Sequence, residues 1–168
     1  MKVDKLRWMN EQYIHKLSHE ELVDELINWR LGRDHLLKVA PLIRERIKTL
    51  GEFATATEYM FTGDVPYDDF ADKLKIPDVK KKDLRKGIEE LIEDFDRLDG
   101  YEAEALEATS RAFCEKKDWK PKHVFMLLRI GSTGRKASPP LFETMAVIGK
   151  EITRRRLRNL AAFIGQMK

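Results

Sequence analysis

Residues 84–100 carry the clearest helical pattern in the chain, and they read LRKGIEELIEDFDRLDG. Apolar residues recur in this stretch at spacings of three and four positions: Leu84, Ile88, Leu91, Ile92, Phe95 and Leu98. That spacing places them along one face of an α-helix, while charged residues occupy the other faces. Asp99 and Gly100 then supply residue types that end a helix. We therefore predict a helix with one buried apolar stripe, which other elements must cover.

The same helical period recurs through the rest of the chain, and no segment alternates polar and apolar residues as a half-buried strand does. We predict further helices over about residues 18–32, 34–47, 49–60, 102–116, 121–130, 140–149 and 151–166, with a loop at 62–67. The fold class that follows is all-α, with two packed helical subdomains divided near residue 80.

Local signals mark where some of these helices begin. Ser18 and Glu21 have the spacing of a capping box, as do Thr49 and Glu52. In this motif a hydroxyl and a carboxylate three residues apart each satisfy a free backbone N–H group. Pro41 lies inside the second predicted helix and predicts a kink there, because proline cannot donate to the helical ladder.

Composition excludes several classes of protein. The 168 residues carry a formal net charge of +3, a mildly basic balance that suits nucleic acid only where the cations cluster. The single cysteine, Cys114, rules out an internal disulfide and is predicted to be a small core residue. No apolar run approaches the ~20 residues that span a membrane, and we expect a cytoplasmic protein.

Signatures of catalysis and of metal binding are missing from the sequence. His15 and His19 are four residues apart, but Glu20 and Glu21 lie outside the pair, which breaks the His-Glu-x-x-His pattern of zinc peptidases. Neither Gly-x-Ser-x-Gly nor Gly-x-Gly-x-x-Gly occurs. We therefore predict a binding module with no metal site.

A polar turn in the last third of the chain carries two cations, Arg135 and Lys136, just ahead of a predicted helix. We predict Ser138 as the N-cap of that helix, with a proline in its first turn. Backbone N–H groups and cations at a helix N-terminus suit a phosphate or an exposed base. Arg129 precedes the turn on an otherwise apolar helix, so its guanidinium is expected to be paired or to face a ligand.

Other cations have competing interpretations. Arg44, Arg46 and Lys48 lie at the end of the second predicted helix, where the helix dipole also favours cations. Lysines at positions 73, 80–82 and 86 balance a strongly acidic helix, which fits a solvated charge run.

Several separated motifs occur together in the chain. They are KLRWMN at residues 5–10, RIKTLGEF at 46–53, Leu128-Arg129 with Thr133-Gly134, SPPLFE at 138–143 and IGKE at 148–151. Together they resemble the C-terminal, anticodon-binding part of bacterial glutamyl-tRNA synthetase, and the resemblance covers essentially the whole chain. Gly131 and Ser132 depart from it, since the family more often has small apolar residues there, and residues 64–122 match only in pattern.

The resemblance implies an α-helical region that binds the anticodon arm of tRNA(Glu). Residues 1–17 would be a remnant of a stem-contact region, and residues 18–80 and 81–168 the first and second helical anticodon-binding subdomains. The family's catalytic domain, which uses ATP and Mg²⁺, lies upstream, and its His-x-Gly-His and Lys-Met-Ser-Lys-Ser signatures are missing here. We expect a monomeric chain with no cofactor of its own, unable to attach glutamate alone.

The same resemblance implies anticodon-base contacts for four residues: Arg46, Arg129, Ser138 and Leu141. In the family, an arginine at the position of Arg46 is linked to the third anticodon base, where glutamate and glutamine anticodons differ. Phosphate contacts are expected from cations at the second helix, the polar turn and the last helix: Arg44, Arg135, Lys136, Arg154, Arg155, Arg156 and Arg158.

Two alternatives stay open from sequence alone. One is a helical protein-interaction domain, in which the arginines pair with some of the 29 acidic residues and a protein partner binds independently of salt. The other is a freestanding paralogue that uses the same scaffold on another RNA. Reading the upstream coding sequence for the two catalytic signatures would separate the second alternative from a fragment of a synthetase.

Overall fold

The structure is a computed structural model that describes residues 3–167, with side chains described from residue 5 onward. Within this range the chain contains α-helices and shorter helical turns but no strand, which confirms the all-α prediction. The α-helices are α1 (Val3–Lys16), α2 (His19–Leu26), α3 (Arg33–Ile43), α4 (Phe53–Phe61), α5 (Lys81–Asp96), α6 (Ala103–Lys117), α7 (Pro121–Thr133), α8 (Leu141–Ile148) and α9 (Lys150–Gln166). None of these described helices is long and apolar enough to cross a membrane.

The chain divides into two compact units, Met1–Ala40 and Pro41–Lys168. In the first unit, the Tyr13 hydroxyl of α1 donates to the Glu25 carboxylate of α2 at 3.0 Å. Large apolar side chains of this unit are exposed, including Trp8 at 59% and Trp29 at 55%. The division of the chain into two helical anticodon-binding subdomains near residue 80 stays a prediction.

An apolar core organises the second unit, and α5 contributes the stripe predicted from sequence. Five of its apolar side chains are at most 6% exposed: Leu84, Ile88, Leu91, Ile92 and Phe95. α9 packs along α5, and α7 lies against α9, so the three helices enclose much of the core. Cys114 is buried in the same core, as predicted.

The predicted capping boxes have different outcomes. Ser18 forms a complete box, because its hydroxyl accepts from the Glu21 N–H at 3.2 Å and the Glu21 carboxylate accepts from the Ser18 N–H at 2.7 Å. The box predicted at Thr49 is wrong. A short 3₁₀ turn, Leu50–Glu52, precedes α4, so the Glu52 carboxylate instead accepts from the Lys48 N–H at 3.0 Å.

Two helix boundaries that lie near prolines differ from prediction. α3 ends at Ile43 rather than near residue 47, so Pro41 lies in its last turn, and the kink expected there stays a prediction. The prediction of Ser138 as an N-cap is also wrong, since α8 begins only at Leu141, with Pro140 in the N-cap position. The Ser138 hydroxyl donates to the Pro139 carbonyl at 2.9 Å instead.

Candidate functional site

A solvent-open cavity of about 170 Å³ lies within the second unit. Its walls are formed by residues from three stretches of chain: Ile43, Arg46, Ala56, Tyr59, Arg135, Ala137, Ser138 and Pro139. Two of these lining residues carry guanidinium groups and none carries a carboxylate. The cavity is therefore suited to a group that presents hydrogen-bond acceptors or negative charge.

The backbone brings these stretches together for identifiable reasons. α3 ends just before Arg46, and α4 carries Tyr59 on its buried face. The third stretch follows Gly134, which ends α7 in the left-handed conformation at φ 63°. A Cβ atom at Gly134 would lie 2.8 Å from the Val65 Cβ, so glycine permits both the sharp turn and the close approach of the 62–67 loop.

The Arg46 side chain is exposed and lines the cavity. Its guanidinium has no hydrogen-bond acceptor or carboxylate partner among residues 5–167, although its backbone N–H donates to the Ile43 carbonyl at 2.7 Å. This places the residue predicted to read the third anticodon base at the cavity, with its donors available to a ligand.

Tyr59 lies in the wall of the same cavity and is only 3% exposed. Its hydroxyl is buried and has no hydrogen-bond partner in the described part of the chain. Burial raises the pKa of this phenol, while nearby Arg135 and Arg46 oppose the rise through their positive charge. At neutral pH the group is therefore a protonated, unsatisfied donor and acceptor.

Arg135 stacks on this tyrosine rather than extending freely into solvent. Its guanidinium carbon lies 4.8 Å from the centre of the Tyr59 ring, within the range of a cation–π contact. Its Nη2 donates to the Thr55 carbonyl at 3.0 Å, and the Glu58 carboxylate lies 3.9 Å away. The side chain is 37% exposed, so these contacts position it at the protein surface.

Arg129 holds the turn that forms the third wall. Its Nη1 donates to the Pro139 carbonyl at 2.9 Å and to the Ser138 carbonyl at 3.3 Å, and it also contacts the Ser138 hydroxyl. Burial lowers the pKa of this guanidinium, and the charge of Arg46 lowers it further. Arg129 therefore has a structural task at the site, while its predicted base contact stays a prediction.

Arg156 supports the site through buried hydrogen bonds to the backbone and does not fit the role of a phosphate contact. It is 0% exposed. Its guanidinium donates to the carbonyls of Tyr59 at 2.7 Å, Thr62 at 2.6 Å and Gly63 at 3.1 Å, and also to the Ser132 carbonyl. The prediction that grouped Arg156 with phosphate-binding cations is wrong, because its donors are directed into the protein.

The other predicted residues are distributed around the second unit. Exposed carboxylates pair with three of the predicted phosphate contacts: Arg44 with Glu45, Arg154 with Glu151, and Arg155 with Asp64. Lys136 and Arg158 are exposed and have no carboxylate partner among the residues described. Leu141 is buried in the core and does not line the cavity. Contacts of these residues with RNA stay predictions.

None of the sequence motifs identifies Tyr59 as a binding residue. The available signal was the residue type, because a buried tyrosine normally finds a partner for its hydroxyl. Among the described residues, no cluster of three histidine, cysteine or acidic side chains is arranged to hold a metal ion.

Comparison with known proteins finds matches to one family over most of the chain. The family model described as the anticodon binding domain matches residues 19–161. The chain is 40% identical to a glutamate–tRNA ligase of Roseiflexus castenholzii, over 92% of this chain and 32% of that protein. It is 34% identical to a glutamate–tRNA ligase of Chloroflexus aurantiacus, over 98% of this chain and 35% of that protein.

A solved structure shares the fold. The crystal structure of a glutamate tRNA ligase from Elizabethkingia meningosepticum matches with a TM-score of 0.68 at 23% identity, over 99% of this chain and 33% of that one. The chain thus spans about a third of the length of the relatives it matches.

Proposed function

Because this chain belongs to the anticodon-binding domain family, we propose that it binds the anticodon arm of tRNA(Glu) as part of a glutamate–tRNA ligase. Attachment of glutamate, with the ATP and Mg²⁺ that it requires, is assigned to a catalytic part of the ligase outside this chain. The isolated chain is accordingly expected to bind RNA without forming glutamyl-tRNA. Formation of glutamyl-tRNA by the chain alone would contradict this division.

The observation that carries the proposal is the unpaired guanidinium of Arg46 at a cavity without lining carboxylates. Cytosine presents two acceptors, O2 and N3, to a fork of N–H donors. Guanine at the same position would oppose these donors with its N1–H and exocyclic amine, leaving donors on both sides without partners. Arg46 would therefore favour the third base of a glutamate anticodon over that of a glutamine anticodon.

The test is a titration of the chain with two anticodon stem-loops that differ only at the third anticodon base. We expect the parent chain to prefer the glutamate stem-loop, and Arg46→Gln to reduce the preference by about ten- to a hundredfold, the range for losing one base contact of about 1–3 kcal/mol. Binding should weaken as salt rises, because phosphate contacts release counterions.

Arg97→Gln is the matched control, since Arg97 is 71% exposed, pairs with Asp94 at 2.9 Å and does not line the cavity. It should keep the parent's preference. If the parent bound both stem-loops with equal affinity, or bound a scrambled stem-loop as tightly as the glutamate stem-loop, the chain would not recognise the anticodon.

The exposed apolar residues of Met1–Ala40 favour a protein partner for that unit. Leu6, Trp8 and Trp29 are each about half exposed, and such exposure is typical of surfaces that another protein covers. Within the proposed function, that partner is the remainder of the ligase. A stand-alone interaction domain would instead show no RNA preference and a protein affinity unchanged by salt.

A further inference from the structure

We propose that the Tyr59 hydroxyl is a second specificity-determining group of the cavity and forms a hydrogen bond with the base that Arg46 contacts. This inference rests on the proposed anticodon binding and adds to it a neutral group that both donates and accepts. Arg46 supplies donors only, so the two residues would together address more of the base edge than arginine alone.

The first support is the unsatisfied state of the hydroxyl in the free protein. Tyr59 is 97% buried, since only 3% of it is exposed, and its hydroxyl has no partner among residues 5–167. Burying a hydroxyl without a hydrogen bond is unfavourable, and such groups are rare in native proteins. A ligand that completes the hydrogen bond would remove this penalty.

Tyr67 shows that the same unit satisfies a comparable phenol where no ligand is involved. Tyr67 is 6% exposed, and its hydroxyl donates to the Arg156 carbonyl at 2.8 Å. Tyr59 and Tyr67 are thus buried to a similar extent, but of these two phenols only that of Tyr59, a residue lining the cavity, is left without a partner.

The second support is the way in which the surrounding residues fix Tyr59. The buried Arg156 guanidinium binds the Tyr59 carbonyl at 2.7 Å, and the Arg135 guanidinium packs on the ring face. The contact with Arg156 fixes the Tyr59 backbone without using the hydroxyl. Such an arrangement is expected of a preorganised binding group, whose position is set before the ligand arrives.

Access to the hydroxyl requires a side chain of the wall to move, because the oxygen is buried in the free protein. Arg135 is suited to this movement. It is 37% exposed, has one hydrogen bond to Thr55 at 3.0 Å, and approaches Glu58 only to 3.9 Å. Its displacement would open the ring and hydroxyl of Tyr59 to a base.

The test uses Tyr59→Phe, which keeps the ring and removes one oxygen. We expect an unchanged or higher Tm, because a buried unsatisfied hydroxyl is lost. Affinity for the glutamate stem-loop should fall about tenfold, which corresponds to one hydrogen bond. With a stem-loop that is abasic at the third anticodon position, parent and variant should bind equally, because the base that the hydroxyl addresses is missing.

Tyr67→Phe is the matched control, because it removes one hydroxyl from an equally buried ring whose hydrogen bond is internal. It should lower the Tm and leave the stem-loop affinity of the folded chain unchanged. If the parent prefers the glutamate stem-loop but Tyr59→Phe binds it equally well, the role of Tyr59 is overturned and anticodon binding stands. An equal loss by Tyr59→Phe on intact and abasic RNA also overturns it. A parent without any preference overturns both proposals.

Discussion

Three arginines of the second unit differ in what their guanidinium groups already bind. Arg156 is fully buried and donates to four backbone carbonyls, Arg129 is half-buried and holds the 138–139 turn, and Arg46 has no partner in the described chain. N–H donors that already bind protein carbonyls cannot also bind a ligand, so only the Arg46 guanidinium is fully available. The first two instead set the shape of the cavity that the third one lines.

Arg156→Met should destabilise the second unit strongly. The substitution keeps much of the apolar stem but leaves several buried carbonyls without donors, each at a cost of about 1 kcal/mol or more. We therefore expect the free energy of unfolding to fall by about 3 kcal/mol or more, measured by urea denaturation.

Arg155→Met, at the neighbouring position, is the control for this change. Arg155 is exposed, with an ion pair to Asp64 at 3.1 Å. Surface ion pairs contribute about 0–1 kcal/mol, so this variant should be close to the parent. Similar stability of both variants would show that the carbonyl contacts of Arg156 do not support the fold.

The burial of Arg156 was predictable from helical spacing, although its residue type argues the opposite. Thr153, Leu157, Leu160 and Ile164 are buried on α9, and position 156 lies four residues before 160 on the same face. Because arginine is charged, Arg156 is not counted among the apolar residues that reveal the buried face of α9. The carbonyls that satisfy it come from distant parts of the chain, which spacing along one helix does not reveal.

Among the helices, α5 closely contacts the segment that follows α6 through a glycine. A Cβ atom at Gly87 would lie 2.4 Å from the Trp119 ring, so the indole packs directly on the helix backbone. The ring also meets Phe113 edge-on, with the ring centres 5.7 Å apart. Glycine is used here for close packing rather than for an unusual backbone angle.

Gly87→Ala should destabilise the protein despite the better helix propensity of alanine. Overpacking a core costs about 1–3 kcal/mol, whereas replacing glycine in a helix gains at most about 1 kcal/mol. We expect a lower Tm, together with a changed Trp119 environment in near-ultraviolet circular dichroism.

Gly165→Ala in α9 provides the opposite case. Its added Cβ would approach the Arg85 side chain only to 3.5 Å, an ordinary van der Waals distance. The Tm of this variant should be unchanged or higher. A Gly87→Ala variant as stable as Gly165→Ala would contradict the close contact with Trp119.

Helical periodicity predicted the existence and type of these elements, and α5 most fully, because one apolar stripe in a polar helix has few alternative interpretations. Boundaries were less predictable. Ser138 has the sequence context of an N-cap, but Arg129 of the preceding helix binds it, and the helix begins after Pro140. Such contacts between elements override local capping preferences.

Across the whole chain, the local distribution of charged side chains is more informative than the net charge. The formal net charge is only +3, yet the cavity is lined by two guanidinium groups and no carboxylate among the residues described. Sequence motifs predicted Arg46 and the polar turn as parts of a site. They could not show that Tyr59 completes the wall, because that depends on how α4 faces the turn.

Mapping the RNA onto the chain would show whether this cavity receives the anticodon. Amide resonances of the ¹⁵N-labelled protein would be followed by NMR during titration with the glutamate anticodon stem-loop. If the anticodon binds there, the largest shifts should cluster at residues 43–59 and 129–139, and Arg46→Gln should reduce them. Saturable binding with shifts confined to α5 and α6, and none around the cavity, would contradict it.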